Sequence, residues 1–373
     1  MLLQTHPISH PLSPLACQLT SLHFGPPGKA CKKVYIHAGL HADEVPGMLV
    51  AQVLRTELGR LEAAGKLRAE VVLVPCANPL GLAQAVQGTP FGRFDMTTGT
   101  NFNRAFRHVA GQLKESLAPL LGADSAANVA LIRQHASAAI AAWTPASDTE
   151  ALKKALLGLA IDADIVLDLH CDNDALMHVY SGTALAEQAA PLAAYLGAHA
   201  LLVASEAGGE PFDEACSRLW WDLAAHFGAD KPIPPACFAA TVELRGEMEV
   251  DHALARQDAE ALLNFLAREG CIDMEPDAMP EALCAATPLT AVEALAAPHA
   301  GMLVYARGLG ARLAAGDAVA ELIDPATGTS TTLRASVDGL LFARSAHRYL
   351  LRGMAVGKIA GNVPFRSGQL LSM

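Results

Sequence analysis

The chain has 373 residues, 52% of them apolar and 17% charged, which is enough apolar material for a full core and, at this length, for two domains. A formal net charge of −11 argues against nucleic-acid binding, because neutralising phosphates takes clustered Lys and Arg. Eight cysteines without a CxxC spacing argue against a zinc ribbon. There is no apolar stretch of the roughly 18 residues a membrane span needs, and the N-terminus lacks the basic start and apolar run of a signal peptide, so a cytoplasmic location is expected.

In chain order, Val34–Ile36 reads as a buried strand and runs into the segment Ile36-His37-Ala-Gly-Leu-His41-Ala-Asp-Glu44-Val-Pro46. Pro46 suits the first turn of a helix, and apolar Leu49, Val53 and Leu54 predict one over Pro46–Leu58. Val71–Val74, Ile165–Leu169, Ala200–Val203 and Ala239–Glu243 are further strands, apolar almost throughout. Helices are expected over Asp213–Phe227 and Asp251–Glu269, each with an opening Asp that could cap it. Alternating strands and helices predict a mixed α/β sheet with helices on both faces. Residues 272–298, punctuated by Pro276, Pro280, Pro288 and Pro298, read as a linker. Beyond it a weak repeat aligns Leu313, Gly316, Val319 and Leu322 with Leu350, Gly353, Val356 and Ile359, which predicts two hairpin halves packed as a small β-barrel or sandwich.

The chemistry-bearing residues fall where predicted strands end, the place where open α/β sheets bind ligands. His41 and Glu44 lie three apart on one turn, and His170 ends the strand Ile165-Val-Leu-Asp-Leu-His170. Two His and one Glu form the three-ligand set of hydrolytic zinc sites. Glu243, near the end of Ala240-Thr-Val-Glu243-Leu-Arg245, is a carboxylate able to take the proton of an attacking water. One Zn2+ per chain is therefore expected.

These segments resemble the succinylglutamate desuccinylase/aspartoacylase family, a branch of the zinc carboxypeptidase superfamily. Gly39-Leu-His41-Ala-Asp43-Glu44 matches its Gly-x-His-Gly-Asp-Glu segment, with Ala42 for the usual glycine; Asp168-Leu-His170 and Val242-Glu243-Leu244 match the later motifs. Between them stand Asn78-Pro79, Phe91-Gly92-Arg93 and Asn101-Phe-Asn103-Arg104. The resemblance implies that Asn103 and Arg104 hold the substrate carboxylate and that Arg93 stabilises the oxyanion. Where the family has Asp behind a zinc-bound His, this chain has Asn101, whose amide oxygen raises ligand basicity less than a carboxylate does.

Other residues leave two readings open. His178 could line the pocket or sit behind it; Arg245 and Glu247 could shape the pocket or belong to a surface turn, and Arg245 could meet a second substrate carboxylate. Trp220-Trp221 could form a lid or pack in the core. Cys171, next to His170 on a strand, should point to the opposite face. After residue 288 the one lysine is Lys358, not at a hairpin tip, which disfavours a biotinyl- or lipoyl-carrier role for the C-terminal β region.

The expected architecture is a zinc carboxypeptidase-like catalytic domain over residues 1–275 and a small all-β barrel or sandwich cap over 276–373. The expected activity is zinc-dependent hydrolysis of the amide of a small N-acyl amino acid, with no nucleic-acid or membrane partner and a homo-oligomer left open. The alternatives are a zinc carboxypeptidase acting on short peptides and an inactive binding protein.

Overall fold

The computed structural model describes every residue except 11, 12, 14, 15, 29, 30, 369 and 371–373. One mixed sheet is built from β1 (Leu2–Pro7), β2 (Gln18–Phe24), β3 (Lys33–Ala38), β4 (Glu70–Val74), β5 (Ile165–Asp172), β6 (His178–Gly182), β7 (Ala200–Ala204), β8 (Phe238–Gly246) and β9 (Ala286–Pro288). Their order is β1-β2-β4-β3-β5-β8-β6-β7-β9. β4, β3, β5 and β8 are parallel. β6 runs against β8 and carries β7 and β9 parallel to itself.

The strands are apolar on both faces because both are covered. On one face Val34, Ile36, Val71, Leu73, Leu167, Leu169 and Val242 pack against α1 (Pro46–Ala63), then α5 and α7. On the other, Tyr35, Val72, Val74, Val166 and Ala239 meet α2 (Ala110–Leu117), α3 (Ser125–Ala141), α4 (Asp148–Ala160), and then α6. Here α5 is Ala186–Leu196, α6 is Phe212–Phe227 and α7 is His252–Arg268. The period of two in a strand thus assigns each residue to one helical layer.

α1 begins at Pro46, whose missing N–H costs nothing in a first turn. Gly47 is needed for close approach: a Cβ there would stand 3.0 Å from the Leu169 carbonyl oxygen, so the helix lies directly over β5 beside His170. α7 opens as expected, Asp251 accepting from Ala253 N at 2.7 Å and Leu254 N at 3.1 Å. α6 does not: Pro211 takes the cap position, no side chain caps the helix, and Asp213 lies inside the first turn, where it is buried.

The segment 272–298 is more than a linker, since it contains β9, which extends the edge of the large sheet, and β10 (Val292–Ala296). Pro288 is compatible with a strand there because an edge residue needs no ladder N–H on its open side. β11 (Gly301–Tyr305), β12 (Arg312–Leu313), β13 (Ala318–Ile323), β14 (Ser330–Arg334), β15 (Gly339–Arg344), β16 (Tyr349–Leu350) and β17 (Ala355–Gly361) follow. They form two sheets, β10-β17-β15-β12 and β14-β13-β11-β16. Each copy of the sequence repeat is a short strand, a glycine turn (Gly316 at φ +95°, Gly353 at φ +85°) and a longer strand in the opposite sheet. Leu313, Val319 and Leu322 are buried, as are Leu350, Val356 and Ile359. β15 clamps these sheets to the large one: Ala343 and Arg344 pair with Ala175 and Asp174, and Arg344 Nε donates to Asp174 at 2.7 Å. No helix among the described residues is long and apolar enough to cross a membrane.

Candidate metal centre and its pocket

The pocket opens at the C-terminal ends of β3, β5 and β8. Strand alternation puts Tyr35, His37, Asp168, His170, Thr241 and Glu243 on the sheet face that carries α6. The turn after β3 brings His41 and Glu44 to the same place. Ligand atoms of His41, Glu44 and His170 all lie within 4.8 Å of one another, and the three side chains are buried. His41 Nδ1 is 2.8 Å from Glu44 Oε1, and His170 Nδ1 is 2.7 Å from Glu44 Oε2.

The far side of each imidazole is fixed. His170 Nε2 is 2.8 Å from Asp168 Oδ1, which can only accept. His41 Nε2 is 2.8 Å from Asn101 Oδ1, an atom that also accepts the Asn103 N–H at 2.8 Å and so must be the amide oxygen. Both rings therefore carry a proton on Nε2 and turn Nδ1 toward the centre, where it would offer its lone pair to a bound ion. Two imidazole nitrogens and a carboxylate, desolvated and pre-oriented, fit a divalent ion such as zinc. Asn101 satisfies this role with its oxygen, but its Nδ2 is buried without a partner among the described residues.

Behind the centre runs a buried chain that the sequence reading did not single out. Tyr35 OH donates to His37 Nδ1 at 3.0 Å, and His37 Nε2 donates to Asp168 Oδ1 at 2.6 Å. Burial disfavours charge on Asp168, yet His170 and His37 hold its carboxyl far below the usual range. Burial likewise works against Glu44, which His41 and His170 nevertheless keep ionised. Burial, followed by the Arg93 charge, lowers His41.

Arg93 lies across the opening, its NH1 donating to Glu44 Oε1 at 3.1 Å and standing 3.2 Å from His41 Nδ1. It is held there because Gly92 packs on the turn that carries His41 and Glu44: a Cβ on Gly92 would sit 2.2 Å from Asp43 N. Ala42, in place of the family's glycine, is buried at 2% exposure without a left-handed backbone, so the substitution costs no strain. Glu243 faces the same pocket, its Oε2 buried without a partner among the described residues. Burial and then the negative Glu44 push its carboxyl up to about 8. Arg104 lines the pocket too, and its NH1 donates to the Asn103 carbonyl at 2.6 Å.

Asn103 is engaged within the protein at both ends. Its Oδ1 accepts Phe212 N at 2.9 Å, while its Nδ2 reaches Asp168 Oδ2 at 3.4 Å and lies 3.1 Å from His170 Nε2. Its amide is spent on Phe212 and Asp168 instead of being presented free to a ligand. Arg245 is not brought to the pocket. A bulge after Glu243 and a left-handed backbone at Arg245 (φ +67°) turn its guanidinium to buried Asp258, with NH1 donating at 3.0 Å. His178 lies one layer behind the lining, packed between Tyr180 and Phe342 with Nδ1 on the Leu176 carbonyl at 2.8 Å. Glu247 meets Asn173 at 3.4 Å. Trp220 is core, and Trp221 donates to the Ser205 carbonyl at 3.2 Å, so neither is a lid. Cys171 packs into the opposite core, and only its N–H serves the centre, donating to Glu44 Oε2 at 3.0 Å.

Four further charged groups line the cavity: Asp172, Asp213, Glu214 and Lys358. Lys358 comes from β17 and bonds Asp172. Burial opposes its charge, but Asp172, Tyr180 and Glu243 hold its amine well above the usual range. An isolated lysine in an otherwise lysine-free β region was visible in the sequence; which wall it meets was not.

Residues 30–141 match the family model of the succinylglutamate desuccinylase/aspartoacylase catalytic domain. A crystal structure of a protein from Shewanella amazonensis SB2B, assigned to that family, shares 27% identity over 96% of this chain and 98% of its own, with a TM-score of 0.81. One from Shewanella frigidimarina NCIMB 400 shares 24% identity over 97% of each chain, with a TM-score of 0.83. One from Rhodobacter sphaeroides shares 17% over 97% of this chain and 96% of its own, at a TM-score of 0.65. The last two speak to the fold alone. No curated protein matches the chain.

Proposed function

We propose that this chain, a member of the succinylglutamate desuccinylase/aspartoacylase family, is a zinc-dependent amidohydrolase that deacylates a small N-acyl amino acid. The observation behind the reading is the convergence of His41, Glu44 and His170 within 4.8 Å, in the pocket that also holds the unpartnered Glu243 oxygen. When bound, zinc supplies a Lewis acid that polarises a carbonyl and makes water nucleophilic at neutral pH. Asp168 and Asn101 keep the two imidazoles in the donor tautomer.

Glu243 takes the proton of the attacking water and passes it to the leaving amine. A carboxyl raised toward neutrality suits both halves of that transfer, because neither direction is strongly uphill. Arg93 places N–H donors at the mouth of the centre, where the carbonyl oxygen gains charge, and a fixed donor there is a large catalytic contribution. Arg104 anchors the amino-acid carboxylate through its planar donor fork, with Asn103 held behind it by Phe212 and Asp168. Residues 1–275 supply these groups as a catalytic domain, and 276–373 act as a cap that narrows access and contributes Lys358 to the lining.

The test is elemental analysis of protein purified without added metal, beside His170→Ala, followed by hydrolysis assays on N-acyl amino acids and tripeptides. About one zinc per chain, lost in the variant, with N-acyl amino acids cleaved faster, is the expected result. Faster tripeptide cleavage would make the protein a carboxypeptidase. No metal in either sample, even after zinc is offered, would leave a binding protein.

A further inference from the structure

Lysine is among the residues least often buried without a paired charge. Lys153, on α4, is nevertheless only 2% exposed. In Thr149-Glu-Ala-Leu-Lys153-Lys154 the helical period puts Thr149 and Lys153 on one side of α4, and both are buried. That side packs on the irregular segment 93–106, which carries Arg93, Asn101 and Arg104. Thr149 Oγ1 donates to Asp95 Oδ2 at 2.9 Å. Lys153 Nζ donates to the Arg104 carbonyl at 2.6 Å and the Asn101 carbonyl at 3.4 Å, and stands 5.5 Å from the centre of the Phe106 ring. Among the described residues no carboxylate forms an ion pair with it, and it does not line the pocket.

The segment it meets explains a charge at this depth. The chain turns after Arg104: Ala105 has a left-handed backbone (φ +53°), uncommon for a residue with a side chain, and the Ala105 and Phe106 N–H groups donate to the Gly209 and Glu210 carbonyls at 2.7 and 3.0 Å. Carbonyls in such a stretch have no helix or strand ladder to satisfy them, and a buried one without a donor is costly. An ammonium on a long stem offers three donors and no acceptor, so one side chain can serve two carbonyls. The side chains of the same residues serve the site: Asn101 Oδ1 meets His41 Nε2 at 2.8 Å, and Arg104 lines the pocket. We propose that Lys153 is a positioning residue: from α4 it fixes the backbone of Asn101 and Arg104, so that one side chain orients His41 and the other is aimed at the substrate carboxylate. The Arg104 part rests on the amidohydrolase reading, while the His41 part needs only a bound ion.

Lys154 supplies the control. It is the next residue on α4 and also donates to two backbone carbonyls, those of Ala141 at 2.8 Å and Trp143 at 2.6 Å, but neither belongs to the segment behind the pocket. Lys153→Met and Lys154→Met each remove an ammonium and keep most of its stem. Zinc affinity of the full chain is read by competition with a fluorescent chelator, with no substrate present. Lys153→Met should weaken it about tenfold, the low end for a group acting on a ligand from outside, and Lys154→Met should stay within about twofold of the parent. On zinc-saturated protein, KM for the N-acetyl amino acid that the parent hydrolyses fastest should rise about tenfold in Lys153→Met, with kcat changed less than about threefold, because Arg104 grips a part of the substrate that does not react. Lys153→Gln keeps an uncharged donor and should weaken zinc about three- to fivefold; it carries the test if Lys153→Met does not fold. Zinc affinity and KM that move no more in the Lys153 variants than in Lys154→Met overturn the proposal, and a zinc shift with KM unmoved overturns its Arg104 part. A zinc shift confined to the Lys153 variants, in a protein that cleaves no amide, keeps the His41 part and overturns the amidohydrolase. A parent that binds no zinc overturns both.

Discussion

Asp168→Asn changes one oxygen to an amide nitrogen at a position with no exposure to solvent. In the native protein Oδ1 accepts from His37 Nε2 at 2.6 Å and His170 Nε2 at 2.8 Å, and Oδ2 faces Asn103 Nδ2 at 3.4 Å. An asparagine that keeps the first two bonds turns its NH2 toward the Asn103 NH2, donor against donor. Turned the other way, it loses both imidazole partners. Either orientation strands at least one buried donor, which costs about 1–3 kcal/mol of stability. The lost charge behind His170 should weaken zinc binding about 10- to 100-fold, or roughly 1.4–2.8 kcal/mol. Competition with a fluorescent chelator measures the affinity, and denaturant midpoints on metal-free protein measure the stability. An affinity within about threefold of the parent would refute the claim that Asp168 orients a metal ligand.

Glu243→Gln should retain the metal and lose about 10²- to 10⁴-fold in kcat, and a near-parental rate would remove Glu243 as the proton carrier. Asn101→Asp exchanges the orphaned Nδ2 for an oxygen and places charge behind His41, so zinc should bind about tenfold tighter by chelator competition; weaker binding would refute the account of His41. Buried Lys153, whose Nζ reaches the Asn101 carbonyl at 3.4 Å and whose amine burial lowers to about 8, should regain basicity in that variant. Burial and then Lys358 lower His178 to about 4, so the fold favours its neutral form. That contribution is complete above about pH 6.5 and is lost as pH falls through about 4, at most roughly 3 kcal/mol. His178→Phe should flatten denaturant stability across that window, and parallel acid limbs for the two proteins would show that His178 does not titrate there.

Much of the sheet was legible because strands buried on both faces are written as short apolar runs, and Val34–Ile36, Val71–Val74 and Ile165–Leu169 each fall within an observed strand. The start of α7 was legible too, since Asp251 caps it through bonds to residues two and three positions on. Asp213 misled for the converse reason: an acid at a helix start looks alike whether it caps, is solvated or lines a cavity. β9 was missed because three residues beside a proline carry no periodicity of their own and pair only because β7 offers an open edge.

By itself the sequence determined what is local: His41 and Glu44 on one turn, His170 and Glu243 on one face of their strands, and glycines where the backbone must turn or approach closely. Only the tertiary structure decided what depends on segments far apart in the chain. It turned Arg245 away at a bulge, spent the Asn103 amide on Phe212 and Asp168, and brought Lys358, Asp213 and Glu214 to one cavity. The physical reason is that periodicity and capping act within a few residues. The partners of a buried charge are chosen by whichever elements pack around it, and no spacing in the chain records that choice.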